Sequence, residues 1–327
     1  MTVSRRVLMV ILTITFLVAA LAAEAQLAGG IPRVGLLSFA DGLPPRIEAA
    51  LLEGLREDGW VEGKSITIER RYAGGRADRL PELATELVGL KVDVIIASGA
   101  SAVRAAKVAT STIPIVFAGA ADPVGFGLVG SLAHPGGNVT GVSDSTGREI
   151  EGKRLQLLKE AVPAATRVGV VLDSTSRVDP APMRDAARAL GLALLVSPEA
   201  ATPEEFRDVF AWFSRERTGA LYAPETPVNA RHRRLIVTLA GQHRLPAMYA
   251  SREFVEAGGL MAYGPSHAKV FRQAAGYVTK ILRGARPSDL PVEQPTEFEL
   301  VVNARTAKAL GLILPPTILT RADHVLR

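Results

Sequence analysis

The sequence predicts an α/β protein made of two doubly wound parallel-sheet lobes joined by a three-segment hinge. Three observations point there. From Pro32 onward, short aliphatic runs alternate with amphipathic helical stretches; the alternation restarts after residue 142; and three strand-like passages cross between the halves. Alternating strands and helices bury a parallel sheet between helical layers, which explains why Val94, Ile95 and Ile96 leave no polar face.

Taken in order, the first half offers strands at Arg33–Leu37, Ser65–Arg70, Val92–Ala97 and Ile115–Phe117. Helices are expected near Pro45–Asp58, Ala77–Leu90 and Ser101–Thr110. The second half offers strands at Arg167–Leu172, Leu192–Val196, Gly219–Tyr222, Pro246–Tyr249 and Leu260–Tyr263. Its helices are expected near Pro182–Leu190, Pro203–Arg215, Val228–Gln242 and Ser266–Arg283. Pro203 followed by Glu204 and Glu205 suits a helix start, where proline loses no needed hydrogen bond and acids favour the dipole. Joints are expected at Thr140–Ser143, Tyr263–Pro265 and Pro291–Pro295. They divide the chain into a first lobe, 31–142 plus 265–295, and a second, 143–264 plus 296–327. Such a clam opens its cleft at the carboxyl ends of both sheets.

The first 25 residues stand apart. Arg5 and Arg6 precede the apolar run Val7–Ala23, and Ala23-Glu24-Ala25 closes it, as in a secretory signal peptide cleaved after Ala25. The run has 17 residues, short of the roughly 20 that a spanning helix needs. The expectation is a freely diffusing periplasmic protein. Cleavage removes two arginines and one glutamate, taking the formal charge from +5 to +4. Among 327 residues there is no cysteine, which excludes disulfides, thiolate chemistry and a lipid-modified cysteine. With 5% aromatic residues and mixed-sign charge, no nucleic-acid partner is expected, and a monomer is.

Motifs for chemistry are thin. VGFGLVG (124–130) contains G-x-G-x-x-G at Gly125, Gly127 and Gly130. A dinucleotide site, however, needs a strand directly before the motif and a long helix after it. Here Ala118–Val124 intervenes, and His134-Pro135-Gly136-Gly137 stops any helix. GWVEGKS (59–65) has one residue too few between its glycines for a phosphate loop. The five histidines form no close metal pair, and no G-x-S-x-G marks a nucleophile. No cofactor, metal or catalytic residue is expected.

Polar residues gather instead at strand ends. Ser38 and Asp41 follow the first strand. Ser98-Gly99-Ala100-Ser101 follows the third and opens a helix, whose free N–H groups can hold an anionic group. Asp122 follows the fourth, either to accept from a ligand amine or to cap the Pro123 turn. In the second half, Asp173, Glu225 with Thr226, and Ser251 with Arg252 and Glu253 take equivalent places, and Tyr263 stands at a joint. Six polar strand ends around one cleft describe a ligand site.

Several separated stretches resemble one family: IPIVF (113–117), DPVGFGLV (122–129), PGGNVTGVS (135–143), REFVEAGGLMAYG (252–264) and LPVEQPTEFELVV (290–302). They are similar to substrate-binding proteins of ABC transporters, the group that includes tryptophan- and tyrosine-type binding proteins. The resemblance runs from about Pro32 to Arg327. It implies the type I periplasmic-binding fold, a small polar or amino-acid-like ligand, and an inner-membrane permease as partner. By position it carries Ser98–Ser101, Asp122, Ser143, Glu225, Ser251 and Arg252 into cleft-facing loops. The chain departs from the aromatic amino-acid binders at Pro224-Glu225-Thr226-Pro227, where they tend to a Thr-Asp-Asn-like turn, and at Leu43-Pro44, where they tend to His-Pro. The expected role is capture of a solute and its delivery to the permease, with Glu225 and Arg252 contributing most to closure. A sensing module of a signalling system, or an exported α/β enzyme, remains as an alternative.

Overall fold

The computed structural model describes residues 30–144, 149–173 and 180–327. The expected signal peptide and the stretch after Asp173 lie outside the described residues. Among the described residues, no helix is long and apolar enough to cross a membrane.

Five strands form the first sheet: β1 (Arg33–Ser38), β2 (Thr67–Tyr72), β3 (Val94–Ser98), β4 (Ile115–Ala118) and β5 (Val139–Val142). They lie in the order β2-β1-β3-β4-β5, every pair parallel. Side chains alternate between two cores, as the two-residue period of a strand requires. Val34, Leu36, Val94, Ile96 and Val116 face one layer, α1 (Pro45–Glu57). Leu37, Ile95, Ala97, Ile115 and Phe117 face the other, α2 (Leu80–Gly89) and α3 (Ala100–Ala109).

A seven-stranded sheet builds the second lobe, from β6 (Arg167–Val170), β7 (Ala193–Val196), β8 (Ala220–Ala223), β9 (Ala247–Tyr249), β10 (Met261–Pro265), β11 (Phe298–Asn303) and β12 (His324–Leu326), in the order β12-β11-β10-β9-β8-β6-β7. One face packs on α4 (Glu149–Ala161), α5 (Pro180–Ala189) and a C-terminal helix through Leu155, Leu158, Met183, Tyr222 and Ile318. The other packs on α6 (Pro203–Arg215), α7 (Pro227–Arg231), α8 (Arg233–Gln242) and α9 (Arg252–Glu256), largely through Phe206, Phe210, Phe213 and Phe254. Helix α6 starts as its sequence dictates. Thr202 and Glu205 form a capping box, each side chain accepting from the other's backbone. The stretch read as one helix over Val228–Gln242 is two, α7 and α8, parted at His232.

Wholly parallel sheets are one expectation that the second lobe modifies. Strand β11 runs antiparallel to β10, and β12 follows β11. The reason is topological. The chain returns from the first lobe at the cleft end of the sheet, so its first strand there must run away from the cleft.

The long helix α10 (His267–Leu282) leaves β10 and packs beside α1 on the first sheet. Gly54 makes this possible: a Cβ there would sit 2.9 Å from both the Ala275 methyl and the Arg272 carbonyl. Two of the three crossings between the lobes are bonded together. Val142 bridges Glu293, Ser143 N–H donates to the Glu293 carbonyl at 2.8 Å, and Glu293 N–H donates to the Gly141 carbonyl at 3.1 Å. The segment Thr140–Ser143, expected as a joint alone, is thus both the last strand of the first sheet and the start of the hinge.

Candidate functional site

Residues at the carboxyl ends of both sheets come together: Arg231 of the second lobe reaches Gly75 of the first, and Asp144, Glu225, Glu253 and His267 lie within electrostatic reach of one another. On the first-lobe wall, Gly99 turns the chain from β3 into α3 with φ of +81°, a conformation that a Cβ would strain. No side chain caps this helix, so its first N–H groups are unspent, and Ser98 and Ser101 stand half-buried beside them. Ser98 pairs in register with Ala118, and Gly119 follows. A Cβ on Gly119 would lie 3.4 Å from Asp144 Oδ2. Asp144, the residue after the first crossing, therefore sits one strand-end away from the open helix terminus.

The second-lobe wall and hinge carry charge. His267, the first residue of α10, faces Glu253 at the start of α9, with Nδ1 3.3 Å from Oε2. Glu225, after β8, and Asp144 share the same electrostatic neighbourhood. Burial opposes a charge on His267. Glu253 first, then Glu225 and Asp144, outweigh that burial and raise the imidazole to about 10. Burial likewise opposes charge on Glu253, yet His267 takes its carboxyl down to about 2. Asp144 and Glu225 go the other way: burial raises both, with His267 offsetting part of the effect. Glu225 keeps access to solvent although protein surrounds it on most sides, as a group on a cleft wall does. Asp144 Oδ1 is closed off from solvent and accepts no hydrogen bond.

Beneath this wall lies Arg154, on α4. Its Nε donates to the Tyr263 carbonyl at 2.7 Å, Nη1 to the Tyr222 hydroxyl at 3.0 Å and Glu151 at 3.1 Å, and Nη2 to the Ala250 carbonyl at 3.3 Å. It ties the ends of β9 and β10 together and spends its charge doing so.

Several residues expected in the site have internal partners. Asp173 is fully buried and accepts from the Thr226 hydroxyl and, at 3.2 Å, from Asn229 N–H; Thr226 in turn caps α7. The Ser143 hydroxyl donates to the Ala120 carbonyl at 2.8 Å. Ser38 accepts from Ala40 N–H at 3.2 Å, and exposed Asp41 approaches Gly74. Asp122 accepts from Gly125 N–H at 2.9 Å, so of its two readings the turn cap is realised, and VGFGLVG is a series of turns that Lys107 holds by the Gly127 and Leu128 carbonyls. Arg252 is committed to Glu256 at 2.7 Å and Glu299 at 3.5 Å. Tyr263 packs against Phe298, ring centres 5.9 Å apart. Ser251, buried at the N-cap of α9, stays beside Glu225 and Glu253. Of the expected residues, Ser98–Ser101 in the first lobe and Glu225 with Ser251 in the second are the ones with no such backbone or ion-pair bond. Asp144 and His267 were not expected in the site from the sequence, whereas Glu253 was, as part of the strand end with Ser251 and Arg252.

At the mouth of the cleft the lobes touch. Arg231 Nη1, on α7, donates to the Gly75 carbonyl at 3.0 Å. Gly75 has φ of +73°, and a Cβ there would fall 2.4 Å from Arg231 Nε.

The match to known proteins follows this geometry. The family described as ABC transporter substrate binding protein covers residues 42–326. The chain belongs to that family. Proteins of this family bind small ligands and work with a transporter permease. A tyrosine-binding protein from Clostridioides difficile (strain R20291) is 26% identical over 270 residues, 82% of this chain and 77% of its own. A conserved domain protein from Vibrio cholerae superposes with a TM-score of 0.80 at 28% identity, over 90% of this chain and 99% of that one. An ABC domain in complex with L-Trp from Streptococcus pneumonia gives 0.81 at 23% identity, with the same coverage, and shows the shared fold. The ligand-free, open structure of a substrate-binding protein from Clostridium difficile covers as much but gives 0.66 at 26% identity. At similar identity, the open form fits this substrate-binding protein less well than the Vibrio structure does, in keeping with lobes that touch at Arg231 and Gly75.

Proposed function

We propose that this substrate-binding protein captures an amino-acid-like solute in the interlobe cleft and presents it to an inner-membrane permease. In this reading the unspent N–H groups of α3, with Ser98 and Ser101, take the ligand's carboxylate. Glu225 and Asp144 take its amine, and closure brings Arg231 onto Gly75. The observation that carries it is the pairing of an uncapped helix N-terminus with unpartnered carboxylate only one strand-end away. The tyrosine-binding relative supports the ligand class. The chain is exported, with cleavage after Ala25, and acts as a monomer without nucleic acid.

No bond is made or broken in this reading. Among the described residues, Ser38 and Ser143 both bond to backbone, and His267 is engaged by Glu253 and by no serine. Native mass spectrometry of the freshly purified protein, with a thermal-shift screen of amino acids and amines, tests the proposal. A retained or stabilising solute carrying an amine is expected. Stabilisation by none of them would end it.

A further inference from the structure

Among the described residues, the charges around the cleft do not balance. Facing His267 from each packed element are Asp144 from the first crossing, Glu225 from the end of β8 and Glu253 from α9. Glu253 and His267 form an ion pair, Nδ1 3.3 Å from Oε2, although that oxygen also lacks a well-aligned hydrogen bond. Arg154, with Glu151 and Tyr222 around it, directs its donors to the Tyr263 and Ala250 carbonyls, the Tyr222 hydroxyl and Glu151. Asp144 and Glu225 then share the field of His267, with Arg154 adding to Glu225, and neither has a described cation in ion-pair contact. A zwitterionic amino acid brings no net charge and leaves this excess in place.

We infer that the cleft is built for a solute of net positive charge, a diamine, a guanidine or a basic amino acid, whose cationic group lies between Asp144 and Glu225. The inference rests on the receptor reading above and narrows it. A buried carboxylate oxygen without a donor, Asp144 Oδ1, is costly unless a ligand supplies one. Burial resists charge on Asp144, so a cation placed beside it relieves a penalty that the ligand-free fold carries. An organic cation is favoured over a metal ion, since among the described residues no cluster is disposed to hold one. An ammonium carries three donors and a guanidinium five, enough to serve two carboxylates and Ser251 together.

The test is calorimetric titration of the full protein, freed of endogenous solute, with arginine, lysine, agmatine and putrescine against tyrosine, tryptophan, leucine and glutamate. At least one cationic probe is expected to bind at least tenfold more tightly than every zwitterionic or acidic one, with affinity falling as salt rises. Glu225→Gln and Asp144→Asn should each reduce that binding at least tenfold and narrow the preference, while circular dichroism shows native folding. If a variant fails to fold, the wild-type preference decides alone. Tyrosine or tryptophan binding as tightly as every cationic probe would overturn the inference and leave the receptor reading standing. Binding of no probe at all would overturn both.

Discussion

The two walls of the cleft are made of different chemistry. The first-lobe wall is nearly neutral, contributing backbone N–H groups at the start of α3 and two small hydroxyls, Ser98 and Ser101, on a strand-to-helix turn. The second-lobe wall and hinge contribute titratable side chains, Glu225, Glu253, Asp144 and His267, drawn from four separate places in the chain. Backbone dipoles are fixed by the fold and cost nothing to hold in position, so the first wall can survive side-chain exchange. The charged wall depends on a balance of buried groups, so single substitutions there act on stability and affinity together. In the proposed reading, specificity therefore belongs to the second wall, and general head-group recognition to the first.

The sharpest way to break that contrast is His267→Gln. It leaves Glu253 buried without its cation, and a loss on the order of 3–5 kcal/mol is expected for breaking such a pair. A melting curve reads it directly. The pH dependence has a definite sign. His267, raised in the fold, stabilises fully below its ordinary value of 6.5 and loses that contribution as pH rises toward about 10. Glu253, lowered in the fold, stabilises fully above its ordinary value of 4.5 and loses that contribution as pH falls toward about 2. The pair is thus at full strength between those two ordinary values, and the melting temperature of the wild type should plateau there while the variant's should not. Asp144 and Glu225, raised, act oppositely and cost stability once ionised, which tilts the plateau downward with pH.

Next in size is Arg252→Ala. Although Arg252 was expected to hold ligand, its bonds to Glu256 and Glu299 make it a brace for the hinge side of the second lobe. A stability loss of about 1–3 kcal/mol is expected, from leaving Glu299 short of a partner, with ligand affinity changed by less than about threefold. A large affinity loss with unchanged melting would move Arg252 back into the site.

Smaller still is Arg231→Ala, which removes one exposed hydrogen bond across the mouth, worth about 0.5–1.5 kcal/mol. Its effect should fall on the dissociation rate, raised a few-fold in stopped-flow measurements, with a larger radius of gyration in solution scattering. The smallest effect is expected for Ser98→Ala or Ser101→Ala. If backbone N–H groups carry head-group recognition, each should weaken binding only about two- to threefold, near the value of one neutral hydrogen bond. A hundredfold loss from either would erase the distinction between the walls.

Much of the fold was legible because burial on both faces leaves a plain signature, as in Val94–Ile96, and because Pro203 and Glu205 mark a helix start. The four residues of β5, with Thr140 and Gly141 inside, have too short an apolar run to read as a strand. The three-residue edge strand β12 is half exposed, and pairs only because β11 has already reversed. The site was read less completely. Strand-end position found Ser98–Ser101 and Glu225, and the same rule applied one residue beyond Ser143 would have found Asp144. His267 had no local signal: its partners come from positions 144, 225 and 253, and only the crossing at Pro265–Ser266 brings it among them. Nor does sequence disclose when strand-end polar groups satisfy each other, as Asp173 and Thr226 do.

The ladder between the first and third crossings has a mechanical consequence. Val142 and Glu293 splice two of the connecting threads into one band, so the halves share a single axle there instead of two independent tethers. The remaining thread, through Pro265 and Ser266, leads directly into His267. A swing of the halves about that band would change the spacing of the imidazole and Glu253, 3.3 Å apart in this conformation.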